Sequence, residues 1–197
     1  VSGLLVQERC TIVESHQFDS LSSGMFYMRV EFKHVDGAPL DLAALREAFA
    51  ETATRFGMNW RLADDAERQR VVIMVSQYAH CLNDLLFRNS VGELNIDVVA
   101  IVSNHPDLEP VAARYGLPFA WHPHADLEKH FDWLHGELTR HGADLVVLAR
   151  YMRILPERVV RAFRHKVINI HPSLLPYFPG AAPYKQAFDS GVRVHGC

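Results

Sequence analysis

Cysteine is scarce in this chain. Only Cys10, Cys81 and Cys197 occur, an odd number with no CxxC pair, which disfavours a secreted disulfide scaffold and suits a reducing, cytoplasmic compartment. Long apolar runs are also lacking. The most hydrophobic stretch, Ala143 to Leu155, is interrupted by Asp144, Arg150 and Arg153, short of the roughly 18 uninterrupted apolar residues a membrane span needs. No signal peptide is visible, so no membrane partner is expected. Neither charge dominates: 20 Lys and Arg stand against 23 Asp and Glu, a net charge of −3, which gives no electrostatic ground for a nucleic-acid partner. Finally, no glycine occurs between Met58 and Val91. A dinucleotide fingerprint is therefore excluded there, and a glycine-rich phosphate nest is disfavoured.

What is present is a globular composition. With 49% hydrophobic residues over 197 positions, the chain can bury the core of one large domain or two small ones. The charged stretch Arg61 to Arg70, RLADDAERQR, reads as a linker. Six basic and ten acidic residues precede position 67, against fourteen and thirteen from there on, so two domains are expected, 1–66 and 67–197.

In the first, Phe26, Met28, Val30 and Phe32 alternate with polar residues, the two-residue period of a strand with one buried face. Leu42, Leu45, Phe49 and Phe56 follow helical spacing after Asp41 as N-cap, and Gly57 suits the left-handed stop. With Val1 to Glu8 as helix, Thr11 to Phe18 as strand and the alternation at Met58, Trp60 and Leu62, the order is α, β, β, α, β. That is one strand short of a βαββαβ sandwich.

The second part switches to continuous apolar runs at Val71–Val75, Asp97–Val102, Leu145–Ala149 and Val167–Ile170, separated by helical periodicity. Strands covered on both faces and alternating with helices imply a doubly wound, mostly parallel sheet, Rossmann-like, with ligands beyond its carboxyl ends.

The residues after those runs carry the chemistry. In the last run Asn169 and His171 lie two apart on one face, with Ile168 and Ile170 expected to pack on the other. Pro172, Pro176, Pro179 and Pro183 then stiffen the loop. A carboxamide can donate to an oxyanion and a neutral imidazole can move protons near pH 7, which suits attack on a carbonyl. The competing reading is an Asx-type turn entering a proline loop. After the first run, Ser76 and His80 read either as polar pocket residues or, more simply, as a turn serine and a solvated first-turn histidine. Cys81, about 100° around the helix from His80, reads as buried and structural. The LARYMRIL segment, Leu148 to Leu155, either walls a pocket for a flat aromatic ligand or simply leads into a helix near Pro156. His122, His124, His130 and His135 invite a metal, but their spacing completes no zinc pattern and no metal is assigned.

Residues 70–197 resemble the formyltransferase domain of folate-dependent enzymes, with NIHPSLLP at Asn169–Pro176 as the signature. HCLNDLLFR at His80–Arg88, SNHPDL at Ser103–Leu108 and GAAPYKQA at Gly180–Ala187 are most similar to the formyltetrahydrofolate deformylase family, whose N-terminal ACT regulatory domain the first part resembles. The resemblance implies hydrolysis of 10-formyltetrahydrofolate to formate and tetrahydrofolate, supplying formate for purine biosynthesis. Asn169 would stabilise the oxyanion and His171 would transfer protons, while Met152, Arg153, Ile154 and Leu155 would line the pterin pocket. It also implies that folate is substrate and no cofactor is needed, with an amino-acid effector at the ACT domain and a homo-oligomer. The family's catalytic aspartate follows an HG step, and this chain ends at His195, Gly196 and Cys197, so both ends read as truncated. Pro172, where deformylases usually carry a second histidine, keeps open a formyltransferase acting on glycinamide ribonucleotide. A non-catalytic folate or amino-acid binding fragment is the third reading.

Overall fold

The computed structural model describes all residues except Ser22, His171, Leu174, Ala181 and Cys197. The chain forms two compact units, Val1–Glu67 and Arg68–Cys197, and the division falls within the charged stretch Arg61 to Arg70.

The first unit runs α1 (Ser2–Gln7), β1 (Cys10–Ser20), β2 (Met25–His34) and α2 (Leu42–Arg55). β1 and β2 pair antiparallel, and Gly24, at φ +64°, closes the turn with its N–H on the Ser20 carbonyl at 2.8 Å. Asp41 caps α2 as its position predicts: its carboxylate accepts from the Ala43 and Ala44 N–H groups, both at 3.0 Å. At the other end Gly57 adopts φ +59° while the Met58 N–H returns to the Ala53 carbonyl at 2.9 Å, a left-handed stop that satisfies an otherwise orphaned carbonyl.

Two expectations for this unit are corrected. The alternating face of β2 is only half covered: Phe26 and Met28 remain 58% and 44% exposed, and only Val30 and Phe32 are half-buried. The Met58–Leu62 alternation forms no strand. Instead it docks on α2, with Trp60 edge-on to Phe49 at 4.8 Å between ring centroids and the Leu62 carbonyl accepting from the Arg46 guanidinium at 3.1 Å. The described sheet therefore has two strands, and a lone hairpin has too few neighbours to bury a face.

The second unit runs β3 (Gln69–Val75), α3 (His80–Ser90), β4 (Ile96–Ser103), α4 (Glu109–Arg114), β5 (Phe119–Trp121), α5 (Leu127–Arg140), β6 (Leu145–Leu148), α6 (Glu157–Ala162), β7 (Val167–Asn169) and α7 (Pro183–Asp189). The five strands pair parallel in the order β5-β4-β3-β6-β7. All four apolar runs are strands, and β5, too short to signal itself, is added. β3 at the centre is fully buried from Val71 to Val75. Its alternate residues feed two cores, as a sheet covered on both sides requires. Val72 and Met74 meet Phe131, Leu134 and Leu138 of α5 and Val159 of α6. Val71, Ile73 and Val75 meet Leu82 and Leu86 of α3 and Ala112 of α4.

Because the chain moves outward from β3 through β4 to β5 and then returns to β6 on the other side, the strand order reverses between β3 and β6. That is the switch point at which a doubly wound sheet opens a ligand crevice beyond its carboxyl ends.

Candidate active site

At that switch point three strand ends are tied together through Ser76. It is buried, and its hydroxyl donates to Asn104 Oδ1 at 2.6 Å while accepting from the Met152 N–H at 3.1 Å. Ser76 follows β3, Asn104 follows β4 and Met152 follows β6, so one hydroxyl joins the segments leaving all three. Asn104 Nδ2 in turn lies 3.3 Å from His124 Nδ1, and the far side of that ring meets the Arg153 guanidinium. His105 joins the group, its ring 5.3 Å from that of His124 and its N–H on Ser103 Oγ at 3.0 Å.

A second buried connection lies behind the first. His130, fully buried on α5, donates from Nδ1 to the His122 carbonyl at 2.9 Å. The carbonyl can only accept, which places the proton on Nδ1 and leaves Nε2 to accept from the Tyr151 hydroxyl. Tyr151 is 5% exposed. Burial is the main force on both groups: it holds the His130 imidazole below its ordinary pKa, partly opposed by the bond to His122, and it pushes the Tyr151 phenol up, against the opposing pull of Arg153. The pair is thus a neutral donor and a neutral acceptor near pH 7.

The four residues Met152, Arg153, Ile154 and Leu155 follow β6 without regular structure. Met152 and Ile154 present apolar side chains to the surface, 60% and 88% exposed, while Leu155 packs on the α5 side of the core. Arg150 enters this segment in the left-handed region at φ +63°, with its guanidinium 5.2 Å from the Tyr78 ring centroid. Asn169 ends β7, in register with Leu148 of β6, and is exposed. His171 lies outside the described residues. Ile168 and Ile170 do not pack as expected: they are 52% and 64% exposed, because β7 borders the described sheet and Val167 is its contribution to the core. Downstream, the proline loop contains a cis bond at Leu175–Pro176.

Several of these residues escape sequence reading. Ser76 reads most simply as a turn serine, yet it is the junction of three strand ends. Its one signal is position, directly after the most buried strand. His122, His124 and His130 attract attention as possible metal ligands. Among the described residues no three metal-ligating side chains converge, and these rings bond instead to an amide, a guanidinium, a phenol and carbonyls. His80 is exposed as expected, and Cys81 is half-buried rather than buried.

The five-stranded parallel sheet, with Ser76, Asn104, His124 and Arg153 linked beyond its carboxyl ends, is a doubly wound α/β domain, and residues 69–197 match the Formyl transferase family. Over its full length the chain is 44% identical to the formyltetrahydrofolate deformylase of Corynebacterium sp. (strain P-1), of which it covers 69%. It is similar to the crystal structure of the formyltetrahydrofolate deformylase from Burkholderia mallei ATCC 23344, with a TM-score of 0.81 and 45% identity over 98% of this chain and 68% of that one. The glycinamide ribonucleotide transformylase 1 from Symbiobacterium toebii is more distant, with a TM-score of 0.60 and 31% identity over 72% of this chain and 68% of that one. The chain belongs to the formyltetrahydrofolate deformylase family.

Proposed function

We propose that the protein hydrolyses 10-formyltetrahydrofolate to formate and tetrahydrofolate. The observation that carries the reading is positional: Asn169 and the Met152–Leu155 segment leave neighbouring strands, β7 and β6, at the same carboxyl edge of the sheet. Exposed Met152 and Ile154 offer apolar surface for the flat pterin. The Asn169 carboxamide would donate to the oxyanion that forms when water attacks the formyl carbon. His171 would take the proton from that water and return it to the N10 leaving group. This scheme draws on water, an amide and an imidazole, and it assigns no step to a metal or cofactor.

The acceptor is the point at which a hydrolase and a transferase part. The loop after β3, Ser76 to Ala79, has no glycine whose backbone could close on a phosphate, which favours water over a phosphorylated amine. Formate release measured without any amine acceptor tests this. Product appearing only after addition of glycinamide ribonucleotide would replace the hydrolase with the transferase.

The physiological setting extends the same reading: a cytoplasmic enzyme supplying formate for purine biosynthesis. Among the described residues no helix is long and apolar enough to cross a membrane. Residues 1–66 would act as an ACT-like regulatory domain binding an amino acid within a homo-oligomer. Calorimetric titration with free amino acids, alongside sedimentation, tests both parts; the absence of any binding heat would remove the effector.

A further inference from the structure

Three consecutive residues after β6 are each held by a different part of the fold. Tyr151 is held through its hydroxyl by His130 of α5, Met152 through its backbone N–H by Ser76 at the end of β3, and Arg153 through its guanidinium by His124 after β5. Two of the three anchors, Ser76 and His130, are themselves buried and each is hydrogen-bonded on two sides. His130 uses both ring nitrogens, and the Ser76 hydroxyl both donates and accepts. The segment they hold, by contrast, has no helix or strand of its own and exposes Met152, Arg153 and Ile154. Without the anchors its backbone would be free to take many conformations, each residue so freed gaining chain entropy.

We propose that Ser76, His130 and Tyr151 are positioning residues for the folate pocket, setting the conformation of Met152–Leu155 so that the apolar ledge and its backbone groups meet the ligand preorganised. The inference rests on the reading of that segment as the folate-binding one. The relay lies on the same sheet face as Asn169: Tyr151, Leu148 and α5 share one core, and Asn169 is in register with Leu148. Preorganisation lowers the ordering cost of binding and leaves the reacting groups alone. The relay therefore acts on affinity and not on turnover.

The test is steady-state kinetics on 10-formyltetrahydrofolate with Tyr151→Phe, Ser76→Ala, His130→Leu and His130→Gln, each checked for native circular dichroism. Loss of one such bond is expected to raise KM about five- to tenfold with kcat within about twofold. His130→Gln is the rescue variant, since its amide can donate to the His122 carbonyl and accept from the Tyr151 hydroxyl at once. It should restore most of the affinity that His130→Leu loses. If His130→Leu does not fold, Tyr151→Phe and Ser76→Ala decide the matter. Folded variants with unchanged KM, or with kcat reduced and KM untouched, overturn the relay.

Wild-type protein run in parallel separates this inference from the reading beneath it. If the wild type releases no formate yet binds tetrahydrofolate by calorimetry, hydrolysis fails and the relay is judged from the same fold-changes in Kd. If the wild type binds no folate, both fall together.

Discussion

Asn169 stands in register with Leu148 across the β6–β7 pair, which turns its carboxamide toward the sheet face covered by α5 and α6 rather than toward α3 and α4. The side chain is exposed and so can reach a ligand. Its proposed duty is confined to the oxyanion, a charge absent from the bound substrate. Asn169→Ala should consequently lower kcat by about 100- to 1,000-fold, on the order of 3 kcal/mol, with little change in KM. Steady-state assay of formate release checks this, and an unaltered kcat would remove the residue from the reaction.

Ile154 and Leu134 make opposite predictions. Ile154 is 88% exposed in the segment after β6 and Leu134 is fully buried on α5. Ile154→Ser should leave thermal stability unchanged while weakening tetrahydrofolate binding about tenfold, from the loss of apolar contact with the ligand. Leu134→Ala should cost about 2–5 kcal/mol of stability through the cavity it leaves. Denaturant unfolding and calorimetry on both variants make the comparison. A stability loss in Ile154→Ser would mean the ledge belongs to the core and not to a ligand.

Asp41 gives a local prediction for the first unit. Its carboxylate accepts two N–H groups at the start of α2, and Asp41→Ala should cost about 1 kcal/mol. Amide exchange at Ala43 and Ala44 should accelerate, while exchange in β3, in the other unit, should not.

The elements that sequence reading places correctly are those whose periodicity is decided locally. Continuous apolar runs give β3, β4 and β6 because each is buried on both faces or nearly so, β7 forms although only Val167 is partly covered, and Asp41 and Gly57 bracket α2 because caps act within one turn. Met58–Leu62 alternates just as well yet forms no strand, since a strand also needs a partner edge and here the Trp60 ring finds Phe49 instead. The site divides in the same way. Asn169, the proposed oxyanion donor, stands within a recognisable sequence signature. Ser76, Asn104, His124 and Met152 are up to 76 residues apart and meet only because the strand order reverses between β3 and β6. No local pattern records that meeting.

His130 and Tyr151 also predict how stability depends on pH. Burial depresses the His130 pKa in the folded protein, so between that value and the ordinary pKa near 6.5 the unfolded chain binds the extra proton. Stability is then fully present above about pH 6.5 and declines as the pH falls through the window below it. Tyr151 is shifted the other way: its folded pKa lies above the ordinary value of about 10, so its contribution is complete below about pH 10 and declines as the pH rises further. His141, lowered by burial and by Arg140, adds to the acid limb. The two histidines are distinguished by substitution: His130→Gln cannot take up a proton and should flatten the acid limb, leaving the part that belongs to His141. Thermal melts from pH 5 to pH 8 read the slope. If wild type and His130→Gln lose stability in parallel on acidification, His130 titrates alike in the folded and unfolded chain, and its burial is not what shapes the acid limb.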